Sequence, residues 1–179
     1  MTTDITGMRF GSLALASFVL LGGCTVPVNT KSSPSTAATE RAPTTLGATE
    51  SRIFGLVNAE RRRQGLPDLV YNPQLDRMAK IQAQNMARFQ KMAHVIPEAT
   101  LPTLTDRARE SGYPYARLAE NVALGYPSAE TVVEGWMASK GHRANILNRD
   151  VEETGIAIAR SSAGGLYYCQ VFGRRMTSL

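Results

Sequence analysis

The sequence predicts an α+β fold in which a small antiparallel sheet is packed between helices. Three observations carry the prediction. Apolar residues recur at helical spacing through the first part of the folded region. They alternate near its C-terminal end, and a short Gly-containing loop separates the two alternating stretches. Helices clustered early and strands clustered late argue for segregated layers and against a doubly wound parallel sheet. The 179 residues suit one domain, and the 43% apolar content is enough for a hydrophobic core.

The first element is a targeting segment. Residues 10–23, FGSLALASFVLLGG, form one uncharged apolar run after Arg9. The run is shorter than the ~20 residues of a comfortable membrane-spanning helix and ends in small residues, as a secretory signal does. Its end, Leu21-Gly22-Gly23-Cys24, resembles a bacterial lipobox, which implies cleavage before Cys24 and lipid attachment to its thiol. Residues 1–23 are therefore expected to be a lipoprotein signal peptide, with Cys24 the lipidation site. Residues 24–47 are rich in Thr, Ser, Ala and Pro and lack apolar periodicity, the composition of a disordered linker. A folded domain is expected over residues 48–179.

Within the domain, Ile53, Leu56 and Val57 share one helical face, and Gly65 with Pro67 stops that helix. The run Arg61-Arg62-Arg63 reads as its solvated side and end. Asn72-Pro73 is an N-cap followed by proline at the first helical position. Leu75, Met78, Ala79, Ala83 and Met86 then form an inward stripe. A shorter helix fits 103–111 and is closed by Gly112. Ser128 caps another, with Val132, Val133, Trp136 and Met137 facing inward. Residues 154–160 and 165–173 alternate as an antiparallel hairpin, and a third short strand is expected at 121–126. Cys169 lies in this hairpin and reads as a buried core thiol.

The formal charge is +5, spread along the chain without a helix-turn-helix, RNA-binding or zinc-finger pattern, so no nucleic-acid partner is expected. Chemistry-bearing residues gather instead on three connections. His94 follows the long helix, Glu120 precedes the expected strand at 121, and His142 opens the stretch GHRANIL, residues 141–147. Two imidazoles and a carboxylate are sufficient for a divalent metal site or for an acid/base group, and spacing alone does not choose. No H-E-x-x-H is present.

The order of these segments resembles the CAP superfamily of cysteine-rich secretory proteins, antigen 5 and pathogenesis-related 1 proteins, in its bacterial SCP-like branch. VNAERRRQGLPDLVYNPQLDRMA is similar to the family's opening, MAHVI carries its first histidine, and AENVALG is similar to its G-E-N-[IV]-A segment. GWMASKGHRANILN resembles the bacterial W-x-x-S-x-G-H-R-x-N-I-L signature, and EETGIAIAR with YYCQVFG resembles the closing hairpin. The resemblance covers about residues 52–173. It implies an α-β-α sandwich with a cleft lined by His94, Glu120 and His142, three members of a two-His, two-acid set. Glu98 and Asp106 are both candidates for the fourth, Glu98 being the nearer to His94 in sequence. Ala119 stands where the family has Gly, and the disulfides of plant and animal members are not expected here, because acylation of Cys24 would leave Cys169 as the one remaining thiol of the two.

Two functions are expected from this set. The first is a lipid-anchored, extracytoplasmic binding module of the bacterial cell envelope, in the periplasm or outer membrane where one exists. Its ligand would be a lipid, a peptide or a cell-wall component, and His94 with His142 would bind Zn²⁺ or another divalent cation. The second is a metal-dependent, peptidase-like hydrolase in which Glu120 is the general base. Asn121 and Asn145 are expected to satisfy nearby backbone, and Arg107 and Arg143 to lie on helix surfaces or in ion pairs.

Overall fold

A computed structural model describes residues 46–177. The expected signal peptide, the lipidation site Cys24 and the linker up to residue 45 lie outside the described residues. The elements are α1 (Ala48–Arg63), β1 (Val70–Tyr71), α2 (Pro73–Phe89), α3 (Leu104–Ser111), β2 (Tyr115–Leu124), α4 (Ala129–Ala138), α5 (Lys140–Ile146), β3 (Glu153–Arg160) and β4 (Leu166–Arg175).

Local chemistry sets most of these boundaries. The Asn72 side chain accepts from the backbone of Gln74 and Leu75, and Pro73 occupies the first helical position of α2. α2 ends at Gln90, whose backbone is left-handed at φ 51°. Thr103 and Asp106 form a reciprocal capping box at α3, and Ser128 with Thr131 forms one at α4. Gly112 closes α3 in the left-handed conformation that glycine adopts without a Cβ penalty.

The four strands lie in the order β1-β3-β4-β2. The hairpin β3–β4 and the pair β2–β4 are antiparallel, as expected. Strand β2 begins at Tyr115, six residues before the expected strand, with an irregular register between Tyr115 and Arg117. The two residues of β1 add a parallel pair with β3, so the sheet is mixed. A run of two residues is too short for any alternation to reveal it.

Helices cover both faces. Side chains along a strand alternate between faces. Cys169 and Val171 therefore pack with Leu75, Met78, Met86 and Ala108 of α2 and α3. Tyr168 and Phe172 pack with Ile53, Val57, Trp136 and Ile146 of α1, α4 and α5. This is the expected α-β-α sandwich. Trp136 is in the core, and its indole N–H donates to Val122 O at 3.3 Å.

Arg61 departs from the expected solvated face: it is 0% exposed. Its guanidinium donates to the carbonyls of Pro67, Ile146 and Asn148 at 2.8–2.9 Å, and to that of Val151 at 3.4 Å. It satisfies the orphan carbonyls at and beyond the end of α5. Arg62 and Arg63 are solvated, as expected.

Candidate functional site

Glu120 enters the site from β2. Its residue is 6% exposed, and its side chain lies on the α2–α3 face of the sheet near Cys169. His94 comes from the connection after α2. That connection is pinned by Ile96, which is fully buried, and by Gln82, whose amide donates to Ala93 O at 2.5 Å. His142 lies in the first turn of α5.

The structure joins His94 to Glu120. His94 Nδ1 lies 2.9 Å from Glu120 Oε1, with the imidazole side chain 55% exposed and the carboxylate 3% exposed. The other oxygen, Oε2, accepts from Arg107 Nη2 at 2.6 Å and from Cys169 Sγ at 3.4 Å. Both carboxylate oxygens are thus engaged by protein donors. The hydrogen bond to Glu120 holds the His94 pKa above its ordinary 6.5, against the opposing effect of burial. Burial pushes His142 below 6.5, and the charge of His94 adds to the effect. Burial also drives the Cys169 thiol well above its usual range, so it stays protonated and donates.

Two asparagines attach α5 to β2. Asn145 Nδ2 donates to Glu120 O at 3.2 Å and to Asn121 Oδ1 at 2.9 Å. Asn121 Nδ2 donates to His142 O at 3.1 Å. The backbone of each candidate, Glu120 and His142, is therefore held by the amide of a neighbour, the role expected of these residues. Ala119 has no positive φ, so replacing the family's glycine costs no backbone strain there.

The two candidates for a fourth member take other partners. Glu98 is an exposed residue whose carboxylate lies 3.8 Å from Lys91 Nζ. Asp106 caps α3 through Thr103 and pairs with Arg109 at 2.7 Å. Neither is bonded to His94, Glu120 or His142 among the described residues.

Sequence reasoning placed Arg107 on a helix surface or in an ion pair. The ion pair is found, but the residue is fully buried. A signal was available. Leu104, Arg107, Ala108 and Ser111 share the inward stripe of α3, and a cation on an inward stripe requires a buried acid.

Among the described residues, no three His, Cys, Asp or Glu side chains are grouped to hold a metal ion. The protein's contribution to a metal would be two imidazoles. Their chemistry fits. His94 turns one ring nitrogen to a carboxylate, the arrangement that orients metal-ligating histidines and raises their basicity. His142 is biased toward the neutral form that ligates. A separate groove of about 460 Å³ is lined by Ala48, Arg52, Ser128 and Tyr168 among others, and includes none of the three site residues.

Residues 54–172 match the CAP profile, described as the cysteine-rich secretory protein family. YkwD of Bacillus subtilis strain 168, an uncharacterized protein, is 34% identical over 139 residues, which are 78% of this chain and 52% of YkwD. YlbC of the same organism, an uncharacterized membrane protein, is 30% identical over 126 residues, 70% of this chain and 34% of YlbC. The chain thus spans about half of one relative and a third of the other. Among solved structures, an extracellular protein of Bacillus anthracis str. Ames that contains an SCP domain superposes with a TM-score of 0.65 at 29% identity. That match covers 71% of this chain and 40% of the other. An outer surface protein of Borrelia burgdorferi shares the fold, with a TM-score of 0.64 at 19% identity, over 70% of this chain and 92% of its own.

Proposed function

The chain belongs to the CAP family, the cysteine-rich secretory proteins, and from that premise we propose that it is an extracytoplasmic binding module in which His94 and His142 bind a divalent cation such as Zn²⁺. One observation carries the choice of binding over hydrolysis. The only acid joined to either histidine among the described residues is Glu120, and both of its oxygens are already occupied. A general base must reach the proton it takes, and a carboxylate 3% exposed and held by three protein contacts is poorly placed to meet a bound water. Glu120 instead has the surroundings of a carboxylate that orients an imidazole.

A bound Zn²⁺ would supply a positive, Lewis-acidic centre. The chain's own residues do the rest. Glu120 orients His94, and Asn121 holds the backbone of His142. Met92 and Val95, 51% and 49% exposed, lie within two residues of His94 in sequence, and in this reading they would supply an apolar rim. Such a rim suits a ligand with an apolar part, a lipid or a peptide side chain, better than a bare polysaccharide.

The location outside the cytoplasm rests on the SCP-domain relative of Bacillus anthracis, described as extracellular, and on the signal-like run 10–23. In this reading acylated Cys24 anchors the domain to the bacterial envelope through residues 25–47. No described helix is long and apolar enough to cross a membrane.

The test is calorimetric. Zn²⁺ is titrated into the purified protein and into the folded His94→Ala/His142→Ala double variant. The proposal expects binding near one equivalent that the variant loses. No binding by folded wild type would remove the metal from the reading. Metal-dependent turnover of a peptide or ester panel, abolished by Glu120→Gln, would restore the hydrolase.

A further inference from the structure

We infer that the ligand of this site is an extended peptide that adds as a short strand to the open edge of β2 at Leu118, an inference that rests on the binding reading of the cleft and narrows it. Strand β2 ends the sheet order β1-β3-β4-β2, so one of its edges meets no other strand among the described residues. Leu118 stands opposite Gly173 of β4. Gly173 O accepts from Glu152 N at 2.9 Å, so the main chain of Gly173 is turned to the β3 side. In an antiparallel pair, residues directly opposite either exchange both hydrogen bonds or both turn away from each other. The N–H and C=O of Leu118 therefore point outward from the sheet.

The next outward groups keep the same period of two. Glu120 O accepts from Asn145 Nδ2 at 3.2 Å, and Val122 O from Trp136 Nε1 at 3.3 Å. Helices α5 and α4 thus occupy the edge from Glu120 O onward. Before Leu118, the irregular register between Tyr115 and Arg117 and the charge of Arg117 guard it, as bulges and cations do on edge strands. What stays open is the N–H and C=O of Leu118 and the N–H of Glu120, none of them hydrogen-bonded to another described residue. This opening lies at the candidate site. His94 is bonded to the Glu120 side chain, and His142 O to the Asn121 side chain. Successive side chains of a strand point to opposite faces, so the two histidine-bearing segments flank β2 from either side.

The chemistry of the edge selects among ligands. Its outward groups are solvated in the free protein. A lipid tail laid over them would remove that water and supply no hydrogen bond. An extended backbone supplies both partners: one residue of an antiparallel segment donates to Leu118 O and accepts from Leu118 N–H. The side chains on either side of that residue in the segment then point to one face and its own to the other, so His94 and α5 each meet part of the peptide. A second copy of the chain is a poorer fit, because Asn145 already holds Glu120 O and stops a long edge there.

The test follows the Leu118 amide by hydrogen exchange in the ¹⁵N-labelled full chain. The probes are a mixture of acetylated random pentapeptide amides and the same mixture methylated at every backbone nitrogen. Leu118 N–H is expected to exchange freely in the free protein, to be protected at least ~10-fold by the first mixture, and to gain nothing from the second. Leu118→Pro removes the outward N–H and keeps the bonds to β4, a position at which a strand tolerates proline. Its affinity for the first mixture, read from the Glu120 amide shift, should fall by roughly 2–10-fold, as for one lost hydrogen bond. No protection by the first mixture, equal protection by the second, or unchanged affinity in folded Leu118→Pro would overturn the inference. So would a Leu118 amide already protected in the free protein, and protection that rises with protein concentration would assign the edge to a second copy. Should Leu118→Pro fail to fold, the two mixtures still decide. Zn²⁺ binding without peptide protection would overturn this inference and leave the metal, whereas peptide protection in a chain that binds no Zn²⁺ would leave the inference standing and remove the metal.

Discussion

Gly155 of β3 lies against the backbone of Asp76 in α2, so close that a side-chain carbon at Gly155 would overlap the Asp76 amide and the Leu75 carbonyl carbon. The first turn of α2 rests directly on the sheet at this point. Gly155→Ala is therefore expected to destabilise the protein by about 1–3 kcal/mol, the usual range for overpacking. Gly55→Ala is the control. Gly55 lies inside α1, and a carbon added there meets nothing within 4 Å. It is expected to gain about 0.4–1 kcal/mol by restricting the unfolded chain. Urea unfolding of the two variants measures both, and a Gly155→Ala protein as stable as wild type would contradict the close approach.

The Arg107–Glu120 pair predicts an asymmetry. Arg107→Met leaves a buried carboxylate without its cation, and about 3–5 kcal/mol should be lost. Adding Glu120→Leu removes the uncompensated group, so the double variant should recover most of that loss. A thermodynamic cycle from denaturant unfolding gives the coupling. Additive losses would mean that the two residues do not act on each other.

The histidines predict opposite pH dependences. His94 has a folded pKa above 6.5, so its contribution to stability is complete below pH 6.5 and is lost as pH rises through that raised value. His142 has a folded pKa below 6.5, so its contribution is complete above pH 6.5 and is lost as pH falls through that lowered value. Together they give a maximum near pH 6.5. His94→Ala should flatten the alkaline limb and His142→Ala the acidic one, read as midpoint against pH. Zn²⁺ affinity should instead climb with pH through the His94 value, because the metal must displace a proton there.

Asn121 predicts a coupling between packing and site. It is fully buried, donates to His142 O and accepts from Asn145. Asn121→Ala removes the side-chain donor to His142 O and one of the two acceptors of Asn145 Nδ2, and should cost about 1–3 kcal/mol. The same variant should weaken Zn²⁺ binding, since α5 carries His142. Calorimetry on a folded sample checks the second effect, and unchanged affinity would show that α5 is held without this amide.

Much of the architecture could be read from local signals. The Asn72-Pro73 cap, the Ser128 cap, the helical stripe of α2 and the alternation of β3 and β4 are each contained in a few adjacent residues, and each appears in the structure. Arg61 and Arg107 could not be placed in this way. An arginine is ordinarily solvated, and its burial becomes favourable only when distant groups arrive: the carbonyls of Ile146 and Asn148 for one, the carboxylate of Glu120 for the other. His94 and Glu120 are legible as site residues from the order of their segments in the chain. The hydrogen bond between them depends on how the connection after α2 meets β2, which no short segment specifies.

The position of Trp136 gives the protein a built-in optical reporter. It is the single tryptophan in the chain, buried in α4, and its indole N–H is bonded to Val122, two residues from Glu120 along β2. A ligand that shifts this strand at the site moves the acceptor of that bond, and the emission of an indole responds to such a change. Occupancy could then be followed in unlabelled protein at low concentration, with the same signal serving as the measure of unfolding.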